Sequence, residues 1–91
     1  MKKIVAQFNM VGFTAEKYSQ TIKDLDAAGK EKSSGRINHV AAELTNGLLI
    51  IDVWESEEAL NEFSKTLIPI LIKNGVTPAK PVIFPLHNII T

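Results

Sequence analysis

"GRINHVAAELTNGLLIIDVWES", residues 35–56, is the stretch on which the fold turns. Two alternating runs, 37–44 and 48–54, flank Thr45, Asn46 and Gly47, and Asn-Gly is the favoured pair for a two-residue hairpin turn with positive φ at both positions. With Asn46 and Gly47 as the turn, Thr45 lies opposite Leu48, and the pairing continues as Glu43 opposite Ile50, Ala41 opposite Asp52 and His39 opposite Trp54. One face then collects Val40, Ala42, Leu44, Leu49, Ile51 and Val53, wholly apolar and expected to lie under helices. The other face carries His39, Asp52 and Trp54. A bulged three-residue turn would push Asp52 onto the apolar face, where an unpaired carboxylate is costly, so the two-residue turn is preferred.

Outward from the hairpin, residues 3–11 alternate as a strand, with Ile4, Ala6 and Phe8 on one side and Val5, Gln7 and Asn9 on the other. After Gly12, Thr14 is placed to cap a helix, Phe13 and Tyr18 have the spacing of a hydrophobic staple, and Tyr18, Ile22 and Leu25 form its apolar stripe. Gly29 is suited to end that helix, and 30–35 reads as a charged, aperiodic loop. Ser56 caps a second helix with Glu57 and Glu58 at its positive end and Leu60, Phe63 and Leu67 along one face. Pro69 is expected to end or kink it, with a short helical turn restarting there and stopping at Asn74 and Gly75. The closing "KPVIFPLHNII" is a strand pattern that Pro81 and Pro85 assign to a sheet edge. The order βαββαβ predicts an α+β, ferredoxin-like domain over 1–91, a four-stranded antiparallel sheet with both helices on one face.

Composition narrows the function classes. The chain has 91 residues, 45% of them hydrophobic and 22% charged, with ten basic and ten acidic side chains and no formal net charge. That balance gives neither nucleic acid nor an anionic membrane a special claim as partner. There is no cysteine, which removes disulfides, thiolate catalysis and the usual zinc sites. The longest wholly apolar run, 48–51, is far too short to span a membrane, and "MKKIVAQF" runs into a strand rather than a signal-peptide core. The expected location is cytoplasmic.

A sheet covered on one side leaves its other side open, and at this length folding hides only about 60 to 65% of the surface of the unfolded chain. Ile37, Ala41, Ile50 and Trp54 make the second hairpin face too apolar to leave in water, so a homodimer is expected, its two sheets enclosing an interior lined by His39, Asp52, Trp54, Gln7 and Asn9.

"GR" before His39, the turn, "DVWES" ahead of an acidic-capped helix, "GFTAEKY" and the terminal "PLHN" together resemble the dimeric α/β-barrel superfamily, which includes the antibiotic-biosynthesis monooxygenases. The resemblance implies a homodimer with a small-molecule pocket in each subunit, within a superfamily of cofactor-free oxygenases, haem-degrading oxygenases, isomerases and proteins without known activity. Asn9 and Trp54 match the asparagine and tryptophan of the haem degraders. Their helical histidine has no counterpart between Glu57 and Leu67, so a haem-dependent activity is not expected.

The residues themselves nominate a site. His39 is the candidate general base, oriented by Asp52. The structural alternative is a buried pair that sets register. Trp54 is a candidate stacking surface or simply packing, Arg36 a clamp for a carboxylate or phosphate or a solvated loop end, and Gln7 and Asn9 candidate substrate-orienting amides or ordinary strand residues. His87 is expected on the surface. Two functions remain open. One is a monooxygenase or isomerase needing no flavin, haem or metal and acting on a small aromatic or polyketide-like compound; the other is a non-catalytic, ligand-binding or structural homodimer.

Overall fold

The computed structural model describes residues 2–29 and 35–91, so most of the expected loop at 30–35 lies outside the described residues. The elements come in the expected order: β1 (Ile4–Val11), α1 (Ala15–Ala27), β2 (Arg36–Leu44), β3 (Gly47–Trp54), α2 (Glu57–Lys73) and β4 (Val82–Pro85). The strands form one antiparallel sheet in the order β2-β3-β1-β4, which is the ferredoxin-like arrangement. The helix starts are chemically explicit. Thr14 Oγ1 accepts from the Lys17 amide at 3.2 Å, Ser56 Oγ accepts from the Ala59 amide at 3.1 Å, and the Phe13 and Tyr18 rings meet edge to face at 5.6 Å as a staple.

Helix α2 does not stop at Pro69 but continues to Lys73. The proline ring faces solvent, so the carbonyl it leaves unpaired lies on the wet side of the helix, where water can satisfy it. The helix ends where expected: Asn74 is its C-cap, Gly75 takes φ +75°, and the Val76 amide donates back to the Leu71 carbonyl at 2.9 Å. Asn74 also donates to Asp24 Oδ2 at 3.0 Å, and Lys73 pairs with the same oxygen at 3.1 Å, tying the end of α2 to α1. These contacts, Asn74 first, hold the Asp24 carboxyl below its ordinary range.

Two hairpin expectations are corrected. The turn consists of Thr45 and Asn46, not Asn46 and Gly47; Leu44 pairs with Gly47, His39 with Asp52 and Ala41 with Ile50. The register has slipped by two residues, an even number, so each residue keeps its face. Gly47 is a strand residue without positive φ, and a glycine is needed there because a Cβ would run into the Met10 carbonyl on β1.

The second correction concerns which face is covered. Beneath the helices lie Ile50, Asp52 and Trp54 of β3, beside Ile4, Ala6, Phe8 and Met10 of β1. The wholly apolar hairpin set is the open face. β1 decides this, because its only uninterrupted apolar side is Ile4, Ala6, Phe8 and Met10, and antiparallel pairing sets Ala6 beside Asp52 and Phe8 beside Ile50. Trp54 is fully buried against Phe63, at 5.2 Å between ring centroids, in a cluster with Leu25 and Leu60. The open face presents Val11, Val40, Val82 and Phe84, the first 64% exposed and the last 48%.

Candidate functional site

Between the covered sheet face and the two helices lies a cavity of about 120 Å³. Phe8, Met10, Phe13, Phe63 and Leu67 supply much of its apolar wall, and Arg36, His39, Asp52 and Tyr18 converge on it from β2, β3 and α1. The expected enclosure between two sheets is therefore replaced by a cavity within one chain, a consequence of which face the helices cover.

A continuous hydrogen-bonded chain crosses its wall. Asp52, only 4% exposed, lies 2.5 Å from His39 Nδ1, and His39 Nε2 lies 2.7 Å from the Tyr18 hydroxyl. One arrangement compatible with both contacts has Nδ1–H donating to the carboxylate and Nε2 accepting from the Tyr18 O–H. Burial pushes the Tyr18 phenol above its ordinary pKa; the positive charge of Arg36 opposes that rise and the Asp52 charge adds to it. The set has the logic of a relay. Such a chain can pass a proton: one accepted at the Tyr18 oxygen would send the tyrosine's own proton to His39, with Asp52 beside the imidazolium that results.

Arg36 enters this site through a backbone irregularity. Arg36 pairs with Trp54 and Asn38 with Val53, which leaves Ile37 as an extra, bulged residue. Three residues apart on a regular strand, Arg36 and His39 would point to opposite faces; the bulge puts both on the covered one. The guanidinium sits 5.4 Å from the Phe63 ring centroid and 6.0 Å from that of Trp54.

The remaining candidates fall elsewhere. Gln7 and Asn9 pair with Ile51 and Leu49 on the open face, away from the cavity, because they share the parity of Val5 and Val11. Trp54 belongs to the packed core and is not part of the cavity wall. His87 is exposed beyond β4. The residue that sequence reasoning missed is Tyr18, whose spacing marks only a staple and a stripe. Its signal was the phenol itself, the only polar tip in the stripe with Ile22 and Leu25, since a tyrosine on a buried face needs a partner for its hydroxyl.

No protein-family profile and no curated protein matches the chain. Solved structures do. The cofactor-independent oxygenase SnoaB from Streptomyces nogalater superposes with a TM-score of 0.64 at 18% identity, over 98% of this chain and 97% of that one; a variant of it reaches 0.67 at 11% identity over the same shares. The fold is that of the antibiotic-biosynthesis-monooxygenase-like proteins. A dimeric ferredoxin-like protein from an uncultured marine organism shares it too, with a TM-score of 0.58 at 15% identity over 100% of this chain and 93% of that one. At these identities the likeness concerns the fold. Among the described residues no helix is long and apolar enough to cross a membrane, and no cluster of ligating side chains is set to hold a metal ion.

Proposed function

We propose that the chain is a monooxygenase that uses no flavin, haem or metal and acts on a small, electron-rich aromatic compound. The observation that carries this reading is the Tyr18–His39–Asp52 chain at the wall of an apolar cavity. The oxygenase that shares the fold supports the reaction class. A cavity of about 120 Å³ suits a single ring rather than a fused polyketide, since an apolar cavity of roughly 150 Å³ holds benzene.

In the proposed reaction Tyr18 takes the acidic proton of a phenol or enol while its own proton passes to His39. The anion, rich in electrons at the adjacent ring carbon, gives an electron pair to dioxygen, and the peroxide recovers a proton from the relay. The resulting C–OOH loses water, leaving a carbonyl where a C–H stood. One oxygen atom enters the product, the other leaves as water, and the substrate is the reductant. The apolar wall keeps the anion from water. Hydroquinone is a suitable probe: oxygen uptake above autoxidation, with a chelator present and nothing added, is expected to match hydroquinone consumed one for one. Labelled dioxygen should place one heavy atom in the hydroxyquinone and one in water. Uptake no faster than the protein-free control counts against the oxygenase reading.

The working form in this proposal is a homodimer joined through the open face, where Val40, Val82 and Phe84 are too apolar to remain in water as a patch. The dimeric relative supports it. Thermal stability should rise with protein concentration, and Phe84→Glu should halve the mass measured by light scattering at micromolar concentration. A wild-type mass equal to one chain would remove the dimer.

A further inference from the structure

The position of one proton sets the direction of hydrogen bonding at the cavity wall, on the proposed reading of this cavity as a site for a small ring compound. Among the described residues, the hydroxyl-bearing side chains that line it are Tyr18, Thr21 and Ser64. Two of them have committed their protons to their own helices: Thr21 donates to the Lys17 carbonyl at 2.8 Å and Ser64 to the Leu60 carbonyl at 2.9 Å. The Tyr18 hydroxyl instead meets a group that can either accept or donate, His39 Nε2 at 2.7 Å. Arg36, also on the wall, is a donor in every state and cannot reverse. The Tyr18 and His39 rings are parallel to within 7° and meet at their polar tips, so a reversal needs only the O–H to turn about its C–O bond.

We propose that the cavity reads the hydrogen-bonding sense of its ligand through Tyr18, and that protonation of His39 reverses that sense: with His39 neutral the site takes a ring bearing an O–H or N–H donor, and with His39 protonated a ring bearing a carbonyl acceptor. Asp52 supplies the bias. Its carboxylate, when ionised, can only accept, and at 4% exposure and 2.5 Å from Nδ1 it favours a proton on that nitrogen. Neutral His39 then accepts at Nε2, the Tyr18 O–H turns toward it, and the phenolic oxygen offers the ligand a lone pair. An imidazolium carries N–H at both positions, so Nε2–H donates to the Tyr18 oxygen and the O–H turns to the ligand. Burial pushes the Tyr18 phenol above its ordinary pKa, so it keeps its proton in both states. The charged or titratable groups around the switch are Tyr18 from α1, Arg36 from β2 and Asp52 from β3; the cavity-lining parts of β1, α2 and the 76–81 segment, among the described residues, add none. In the proposed reaction a phenol arrives as a donor at the neutral site, and its conjugate base is held as an acceptor while the proton rests on His39.

Pyrrole and cyclopentanone, rings of similar size, are suitable probes: the first donates through its N–H, the second only accepts, and neither titrates between about pH 5 and 8, the span in which imidazoles change charge. Their affinities for the whole protein, measured by NMR titration, are expected to move in opposite directions. Falling pH should weaken pyrrole and strengthen cyclopentanone, each by about tenfold, the effect of one buried hydrogen bond made or left unmade. The chain has two histidines, so His87→Gln leaves the imidazole signal to His39 alone, and both trends should centre on the pH at which that signal titrates. Tyr18→Phe should abolish both trends. Asp52→Asn should favour cyclopentanone even at about pH 8, because an amide NH₂ facing Nδ1 moves the imidazole proton to Nε2. Affinities that move together with pH, trends of the opposite sign, trends that survive Tyr18→Phe or centre away from the His39 titration, an Asp52→Asn that binds like the wild type, or no saturable binding of either probe would each overturn the proposal. If neither substitution folds, the trends in the wild type and in His87→Gln decide the matter. The readout needs no oxygen: a reversal without oxygen uptake would remove the oxygenase reading and leave the switch standing, whereas uptake without a reversal would do the opposite.

Discussion

Gly47→Ala is expected to cost at least about 3 kcal/mol, enough to leave a chain of this size marginal or unfolded. A Cβ at Gly47 would run into the carbonyl oxygen of Met10 and stand 2.9 Å from its carbon. Both obstacles are backbone, in the strand that forms the middle of the sheet, so no rotamer change relieves them and the β1–β3 ladder must separate. Thermal unfolding should show a fall of roughly ten degrees or more, on the order of 4–8 °C per kcal/mol for a domain of this length, or no transition at all. Asn46→Ala is the informative companion. Among the described residues no non-glycine residue has positive φ, so the Asn46 side chain is not needed for the turn, and a change within roughly 1 kcal/mol is expected. A turn built on Asn46 and Gly47 would instead require positive φ at both, and would make Asn46→Ala costly as well. Equal losses at the two positions would refute the observed register; an unperturbed Gly47→Ala would refute the close crossing of β1.

Asp52→Asn should reduce turnover by roughly 10²- to 10⁴-fold while the fold persists. The amide is isosteric, but with its NH₂ facing Nδ1 it donates where the carboxylate accepted. The imidazole proton then moves to Nε2, which donates to the Tyr18 oxygen 2.7 Å away and can no longer accept from it. Tyr18→Phe should give a loss of similar size, because it removes the atom that takes the substrate's proton in the proposed reaction and leaves the ring packed against Phe13. His39→Ala is a poorer probe, since it strands the Asp52 carboxylate at 4% exposure without its histidine and should destabilise by about 3–5 kcal/mol irrespective of chemistry. Steady-state kinetics on whichever phenol is consumed, beside thermal melts, separates the outcomes. A purely structural Tyr18–His39–Asp52 chain would show lower melting temperatures in all three variants and an unchanged rate in those that fold.

The members of this hydrogen-bonded chain differ in how visible they are in the sequence. The pairing of His39 with Asp52 was legible because strand parity puts them on one face whatever the even slip in register. Tyr18 was not, because an i, i+4 stripe reports only that a residue is buried, and the separation of 21 positions between Tyr18 and His39 holds no local signal of their meeting. Polarity alone groups Gln7 and Asn9 with the His39 set. Backbone pairing overrules that, because the neighbour of a β1 residue is set by register and not by chemical likeness.

By itself the sequence determined the features that rest on local periodicity and local hydrogen bonding: the order βαββαβ, the caps at Thr14 and Ser56, the edge position of the proline-flanked β4, and the division of the hairpin into a wholly apolar face and one bearing His39, Asp52 and Trp54. Tertiary structure alone decided which of those faces the helices cover. Both are apolar enough to be buried, so the hairpin is indifferent, and the choice falls to β1, whose single continuous apolar side must lie against the helices and carries its β3 neighbours with it. The Ile37 bulge was equally beyond local reading. One extra residue reverses the facing of everything before it, and no propensity marks its place; that displacement is what sets Arg36 on the face of His39 and Asp52, where a regular strand would have turned it away.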